Sequence, residues 1–137
     1  MKAMVLSEIG RFDSNKPPLK LVELPEPVPA ADEVLVRVSA CGVCHTELDE
    51  IEGRTPPPHL PVVPGHQVVG RVEAVGRYAN AFKIGDRVGI GWIFSACGTC
   101  KFCCAGNENL CSSFKATGRD VSGGYAEYMT VPEASAY

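Results

Sequence analysis

Alternating apolar and polar side chains mark several segments of this chain as strands. In Glu33–Ala40 the valines fall on one face and Arg37 and Ser39 on the other. This period of two, in a segment rich in branched side chains, is typical of a half-buried strand. The same reasoning predicts three further strands, which span Val68–Val75, Arg87–Ile90 and Tyr125–Val131, the last of them stopped by Pro132.

Helix signals are sparse along the chain. One short helix is predicted over Thr46–Glu52, ended by Gly53 at a position where glycine is favoured. Prolines mark extended connectors over residues 24–29 and 55–64. Short strands separated by Gly and Pro turns predict a mainly β fold, either a small barrel or a sandwich. Because neither a repeat nor a shift in composition divides the chain, we expect one domain over residues 1–137.

Composition narrows the function classes. The net charge of −3 offers no basic face, so we do not expect a nucleic-acid partner. The first residues lack the ~7–15-residue apolar core of a signal peptide, and no apolar run approaches the ~18 residues of a membrane span. We therefore predict a cytoplasmic protein without membrane contact. Reducing conditions there favour metal binding or catalysis over disulfides for its seven cysteines. The chain also lacks a complete phosphate-binding glycine motif, so we do not expect it to bind a nucleotide alone.

Four cysteines have the spacing of a metal site. They follow the pattern C-x2-C-x2-C-x7-C within a lobe of about residues 95–115, where Gly98 and Gly106 would let the backbone curl around an ion. Four thiolates suit the closed tetrahedral shell of structural zinc. An iron–sulfur cluster is the alternative, although the three-residue gap and the Cys-Pro pair of bacterial ferredoxins are missing. The predicted ligands are Cys97, Cys100, Cys103 and Cys111, and the neighbouring Cys104 has no assigned role.

A second group of candidate residues lies earlier in the chain. The run from Cys41 to His45, Cys-Gly-Val-Cys-His, fits haem attachment, a redox dithiol or metal ligation. Neither an export signal nor a βαβ pattern supports the first two. His66 precedes an apolar strand, as either a hydrogen-bonded core residue or a ligand. Cys44 and His66 together, with a position left open, would be typical of catalytic zinc.

Taken in order along the chain, these motifs resemble the zinc-dependent medium-chain alcohol dehydrogenases. The resemblance implies a mainly β fold, a partly open GroES-like β-barrel with a structural-zinc loop and one or two short helices. It also implies that this domain is the catalytic domain of a longer enzyme. The segments that carry the resemblance are Ala40–Leu48, Leu60–Gly70 with Gly76, Lys83–Gly89, Cys97–Cys111 and Gly123–Tyr128.

The resemblance also implies roles for individual residues. Zinc would bind at two places, and the full-length enzyme would use NAD or NADP to oxidise a small alcohol to an aldehyde or ketone, as a homo-oligomer in the cytoplasm. The implied positions are Cys44 and His66 as catalytic-zinc ligands, with Gln67 as a further candidate, Thr46 at the substrate oxygen, Asp49 at the proton-relay position, His45 near the cofactor pyrophosphate, Trp92 in the wall of the alcohol pocket, and Cys97, Cys100, Cys103 and Cys111 as structural ligands.

Three positions depart from the family pattern. Gln67 stands where a glutamate is usual, Glu47 where an aspartate orients the ligating histidine, and Asp49 where a relay histidine is common. In the family, the third ligand of the catalytic zinc and the Rossmann domain that binds the cofactor lie beyond the part that resembles this chain. We therefore expect this chain alone to be inactive. The alternative is a zinc-stabilised GroES-like binding module without catalysis.

Overall fold

Antiparallel pairing of four strands forms the main sheet. The computed structural model describes residues 1–13 and 15–137. In their order across the sheet, the four strands are β5 (Arg87–Ile90), β4 (Val68–Val75), β3 (Glu33–Cys41) and β8 (Tyr128–Pro132). The valines that face inward from this sheet are buried together with Ile90 and Met129, and they form the main core.

Two small antiparallel sheets complete the β structure. The first pairs β1 (Lys2–Leu6) with β2 (Leu19–Glu23), and the second pairs β6 (Ile93–Ser95) with β7 (Lys115–Ala116). Backbone hydrogen bonds of 2.9 and 3.0 Å join Leu6 of β1 to Val62. The strands described do not close into a barrel, in agreement with the expected mainly β, partly open architecture.

One α-helix, α1 (His45–Ile51), lies between β3 and β4. Its buried residues are Glu47, Glu50 and Ile51, so two carboxylates point into the protein from this helix. Three single-turn 3₁₀ helices span Cys103–Ala105, Glu108–Leu110 and Glu133–Ser135. None of the helices in the described part of the chain combines the length and the hydrophobicity needed to cross a membrane.

The structure confirms the predicted strands β3, β4 and β5, with β3 one residue longer than predicted, and it shifts both ends of the helix and of the last strand. Helix α1 begins and ends one residue earlier than predicted. The last strand begins at Tyr128 rather than Tyr125, because the preceding residues bond to β1 instead, as in the 2.8 Å bond from the Met4 amide to the Tyr125 carbonyl. Pro132 is the last residue of this strand and not the first residue after it. Proline is tolerated there because β8 lies at the edge of the sheet.

Candidate metal and substrate site

The Glu47 carboxylate connects Cys44 with His66. Cys44 is the residue before α1, and its backbone N–H donates to Glu47 Oε2 at 2.8 Å in a capping box. Glu47 Oε1 lies 2.8 Å from His66 Nδ1. Only 4% of Glu47 and 5% of His66 is exposed, so this contact is shielded from water. One buried carboxylate thus fixes the backbone of one candidate ligand and the ring of the other.

This contact determines which nitrogen of His66 is free. Among the described residues, Nδ1 and Glu47 Oε1 have no aligned hydrogen-bond partner, so their mutual approach is a close polar contact. With Nδ1 directed at the carboxylate, Nε2 is the nitrogen left for a ligand. A thiol and an imidazole with such a carboxylate behind the ring are a donor set that fits zinc.

The described residues do not provide a third His, Cys, Asp or Glu for this donor set. The only group of three or more such side chains that converge on one point is the set of four cysteines in the lobe. Gln67, the further candidate, is exposed and packs its side chain against the Cys41–Cys44 loop. A Cβ atom at Gly42 would lie only 2.6 Å from Gln67 Oε1.

Thr46 and Trp92 lie close to the two candidate ligands. Thr46 Oγ1 is 3.5 Å from Cys44 Sγ. The indole of Trp92 meets the imidazole of His66 in a T-shaped arrangement, with ring centroids 4.9 Å apart and an interplanar angle of 77°. Both rings line an open cleft of about 560 Å³ that also involves Gly91. A small organic molecule in this cleft would contact both rings.

Asp49 is engaged by two basic side chains. Arg54 Nε donates to Asp49 Oδ1 at 2.5 Å, and His45 Nδ1 lies 3.3 Å from the same oxygen. The hydrogen bond from Arg54 lowers the pKa of Asp49 below its usual value. His45 itself is exposed, with 74% of its side chain accessible. Asp49 is therefore a carboxylate counter-ion in this structure, next to a histidine that faces solvent.

Cys41 lacks the features of a redox-active thiol. Burial raises its pKa above the usual thiol value, and its Sγ lies 3.6 Å from the Gly42 carbonyl oxygen. A reactive dithiol needs a lowered pKa, because the thiolate is the nucleophile. The structure gives Cys41 a packing role beneath Gly65 and Gly124, where an added Cβ would lie 2.9 and 3.0 Å from its sulfur.

The four cysteines of the lobe converge as their spacing predicts. Their sulfur atoms all lie within 4.8 Å of one another. Gly98 and Gly106 have φ angles of +71° and +72°, a left-handed conformation that favours glycine and lets the loop turn around the sulfurs. The neighbouring Cys104 directs its Sγ elsewhere, 3.6 Å from the Thr99 carbonyl oxygen.

The protonation of this cluster favours a bound cation. Hydrogen bonds from the backbone amides of Thr99 and Cys100 lower the pKa of Cys97 to about 6. Burial and the neighbouring Cys100 thiol raise the pKa of Cys103 to about 12. Without a positive charge among them, the four sulfurs cannot all be thiolates, whereas a divalent metal ion stabilises that state. The cluster therefore fits a metal ion.

Two charged residues near the site were missed by the sequence reasoning. Glu50 is buried in α1, and Arg119 lies over the Trp92 ring. Acidic residues in a short helix normally indicate an exposed face, and Arg119 follows β7, a strand too short to show periodicity. No sequence signal set them apart.

Known proteins share both the sequence and the fold of this chain. The family described as alcohol dehydrogenase GroES-like domain matches residues 30–137. An alcohol dehydrogenase of Geobacillus stearothermophilus is 47% identical over 129 residues, which cover 93% of this chain and 36% of the relative. This chain thus spans little more than a third of that protein's length.

Two solved structures match nearly the whole chain. An NAD-dependent alcohol dehydrogenase superposes with a TM-score of 0.90 and 36% identity, covering 100% of this chain and 39% of the other. A cobalt- and zinc-bound thermostable alcohol dehydrogenase from Pyrobaculum aerophilum gives a TM-score of 0.88 and 33% identity over 99% of this chain and 40% of the other. The fold of this chain is therefore that of the corresponding domain in those proteins.

Proposed function

This chain belongs to the alcohol dehydrogenase family as its GroES-like domain, and we propose that it is the catalytic domain of a zinc-dependent alcohol dehydrogenase. The observation that carries the proposal is the Glu47 carboxylate, which contacts the backbone of Cys44 and the ring of His66 at once. A carboxylate behind a ligating histidine fixes its tautomer and raises its basicity. We see no comparable reason for a binding module to bury this contact.

Cys44 and His66 would hold the catalytic zinc, with Gln67 as a further oxygen donor. Zinc bound there would supply Lewis-acid chemistry, lowering the pKa of an alcohol so that hydride can leave for NAD or NADP. Cys97, Cys100, Cys103 and Cys111 would hold a second, structural zinc with no part in the chemistry.

This chain's own residues would bind the alcohol and move its proton. The Thr46 hydroxyl, which lies beside the candidate ligand Cys44, would accept the alcohol proton and release its own proton towards solvent, so that it acts as a relay. Trp92 would form a wall of the pocket and limit the size of the alcohol. His45 faces solvent, where it could contact the cofactor pyrophosphate, and Asp49 would orient it rather than carry a proton. The ion pair with Arg54 supports that role for Asp49, because it keeps the carboxylate charged.

The remaining features of the proposal concern the whole protein. The substrate would be a small alcohol or aldehyde, and the protein would work as a homo-oligomer in the cytoplasm. NAD is the cofactor named for one of the solved relatives. Support for zinc comes from the convergence of four cysteines and from the relative that binds cobalt and zinc.

Metal analysis of the purified chain, followed by kinetics of the full-length protein, tests the proposal. We expect two zinc ions per chain, one of them lost in a Cys44→Ser variant and the other in a Cys97→Ser variant. In the full-length protein, Thr46→Ala is expected to reduce kcat for alcohol oxidation by about 100-fold, as for the loss of a proton-transfer group. Full activity in Thr46→Ala would show that the hydroxyl takes no part in proton transfer.

A zinc-stabilised binding module without catalysis is the second candidate. It is favoured by one observation, the lack of a third converging His, Cys, Asp or Glu beside Cys44 and His66 in the described residues. Such a module would bind one zinc ion, in the cysteine lobe, and the full-length protein would not oxidise alcohols with NAD or NADP.

A further inference from the structure

Three side chains form a continuous set beside the candidate site, and we call them the Trp92 cluster: His66, Trp92 and Arg119. The centroid of the indole lies 4.9 Å from that of the His66 ring, and the Arg119 guanidinium carbon lies 5.4 Å from the indole centroid. The second distance is within the ~6 Å range of cation–π attraction. Trp92 therefore contacts both an imidazole and a cation.

Backbone hydrogen bonds fix the segment that carries Arg119. The buried Thr117 donates its N–H to the Trp92 carbonyl at 3.0 Å and its hydroxyl to the Gly91 carbonyl at 2.9 Å. These bonds tie the chain two residues before Arg119 to the backbone of Trp92 itself. The backbone that carries Arg119 is thus held in a fixed position relative to the indole.

Asp120 then orients the guanidinium. Arg119 donates to both of its carboxylate oxygens, from Nε at 3.2 Å and from a terminal nitrogen at 2.8 Å. The Ala116 amide also donates to Asp120, at 2.6 Å. Such a two-pronged pair fixes the plane of an arginine as well as its charge. Arg119 is therefore a preorganised cation and not a mobile surface side chain.

We propose that Arg119 is a positioning residue of the candidate site, which holds the Trp92 indole against His66. The inference rests on the proposed function for one point, that His66 and Trp92 border the alcohol. It adds that the wall of the pocket is set by a charged residue outside the family motifs. Arg119 acts through Trp92 and does not itself need to touch the substrate.

Tryptophan fluorescence tests the proposal, because Trp92 is the only tryptophan in the chain. In Arg119→Gln we expect acrylamide to quench Trp92 about twofold more strongly than in the wild type, with the emission maximum shifted to the red, because the cation–π contact is lost. Arg119→Lys keeps a cation but loses the two-pronged bond to Asp120, so its quenching is expected to fall between those of the wild type and Arg119→Gln. Unchanged quenching in Arg119→Gln, or an equal change in Arg119→Lys, would overturn the proposal.

Arg77→Gln is the matched control. Arg77 lies 4.8 Å from the ring centroid of Tyr78, so the variant also removes a cation from an aromatic face, but at an exposed tyrosine far along the chain from Trp92. We expect it to leave Trp92 quenching unchanged. An effect as large as that of Arg119→Gln would show that loss of any surface arginine loosens the fold, and the proposal would be wrong.

A double-mutant cycle tests the same contact without fluorescence. Arg119→Gln is expected to lower the urea midpoint in the wild-type background and to lower it less in a Trp92→Leu background, where the aromatic face is gone. Equal shifts in both backgrounds would separate Trp92 from Arg119 and contradict the proposal. Neither experiment depends on alcohol oxidation. An inactive protein with these results would contradict the proposed function and leave the positioning role in place.

Discussion

Glu47 and His66 form a buried acid–imidazole contact, with Glu47 Oε1 2.8 Å from His66 Nδ1. The second oxygen of the same carboxylate accepts the Cys44 amide. The length of the glutamate side chain lets one residue span both partners, even though the family usually has the shorter aspartate here. The ring of His66 is therefore oriented before any metal arrives.

Glu47→Gln is expected to weaken zinc binding at the Cys44 and His66 site by ~10–100-fold, the range found when a carboxylate behind a ligating histidine is lost. The variant keeps the shape of the side chain and removes its charge. A competition titration with a chromophoric chelator measures the change. Glu73→Gln, at an exposed position of β4, is the control and should bind zinc like the wild type. Wild-type affinity in Glu47→Gln would show that the contact does not support the metal.

Cys103→Ser is expected to abolish metal binding in the cysteine lobe and to expose residues 95–115 to proteases. Structural zinc contributes about 10–16 kcal/mol in small peptides, so a lobe without it should lose its order. Metal content and limited proteolysis measure both effects. The adjacent Cys104→Ser is the control, because its sulfur lies outside the cluster, against Thr99. If the two variants behave alike, Cys103 is not a ligand.

The lobe and the main sheet were predictable because their patterns are local. Four cysteines at fixed spacing need only a curled loop to bring their sulfurs together. In β3 and β4, the alternation of apolar and polar side chains can be read from the sequence of each strand by itself. Strands β1 and β2 were missed. The Lys2–Leu6 run does not alternate, and each strand is identified only by its pairing with the other.

Glu50→Gln is expected to remove a pH dependence of stability. Burial raises the pKa of Glu50 to about 8 in the folded chain, and the unfolded value is about 4.3. The folded state therefore retains a proton that the unfolded state releases, so this group's contribution to stability is present below about pH 4.3 and lost as the pH rises to about 8. Glutamine mimics the protonated acid at every pH.

Urea unfolding at about pH 5 and about pH 9 measures this dependence. The wild type and Glu50→Gln should be similar at the lower pH, and the variant should be more stable by a few kcal/mol at the higher one. The control is Glu73→Gln, which should follow the wild type at both. A constant difference between the wild type and Glu50→Gln would contradict the raised pKa.

Gly76→Ala is expected to destabilise the fold by about 3 kcal/mol, the upper range for overpacking. A Cβ at Gly76 would lie 2.0 Å from the Ala30 carbonyl oxygen and 2.6 Å from that of Ala31, so backbone would have to move. Gly91→Ala is the control, since a Cβ there meets nothing within 4 Å. Equal urea midpoints for the two variants would show that the turn after β4 has room for a Cβ at Gly76 and would contradict the close approach of the Ala30 and Ala31 carbonyl oxygens.

The charged members of the site were beyond the reach of sequence reasoning. In the structure, α1 buries Glu47 and Glu50 together with Ile51. The partner of Glu47 is His66, which is distant in the chain, and the family resemblance indicated it. No pattern in the sequence indicated that Glu50 would be buried.

The paired strands β6 and β7 determine how the lobe is attached to the rest of the domain. Ile93 pairs with Ala116 and Ser95 with Lys115, so the chain enters and leaves the lobe at one pair of strands. This pairing already brings the two ends of the lobe together, and an ion has only to order the short loop between them. Metal binding in the lobe therefore orders a closed loop and not the sheet itself.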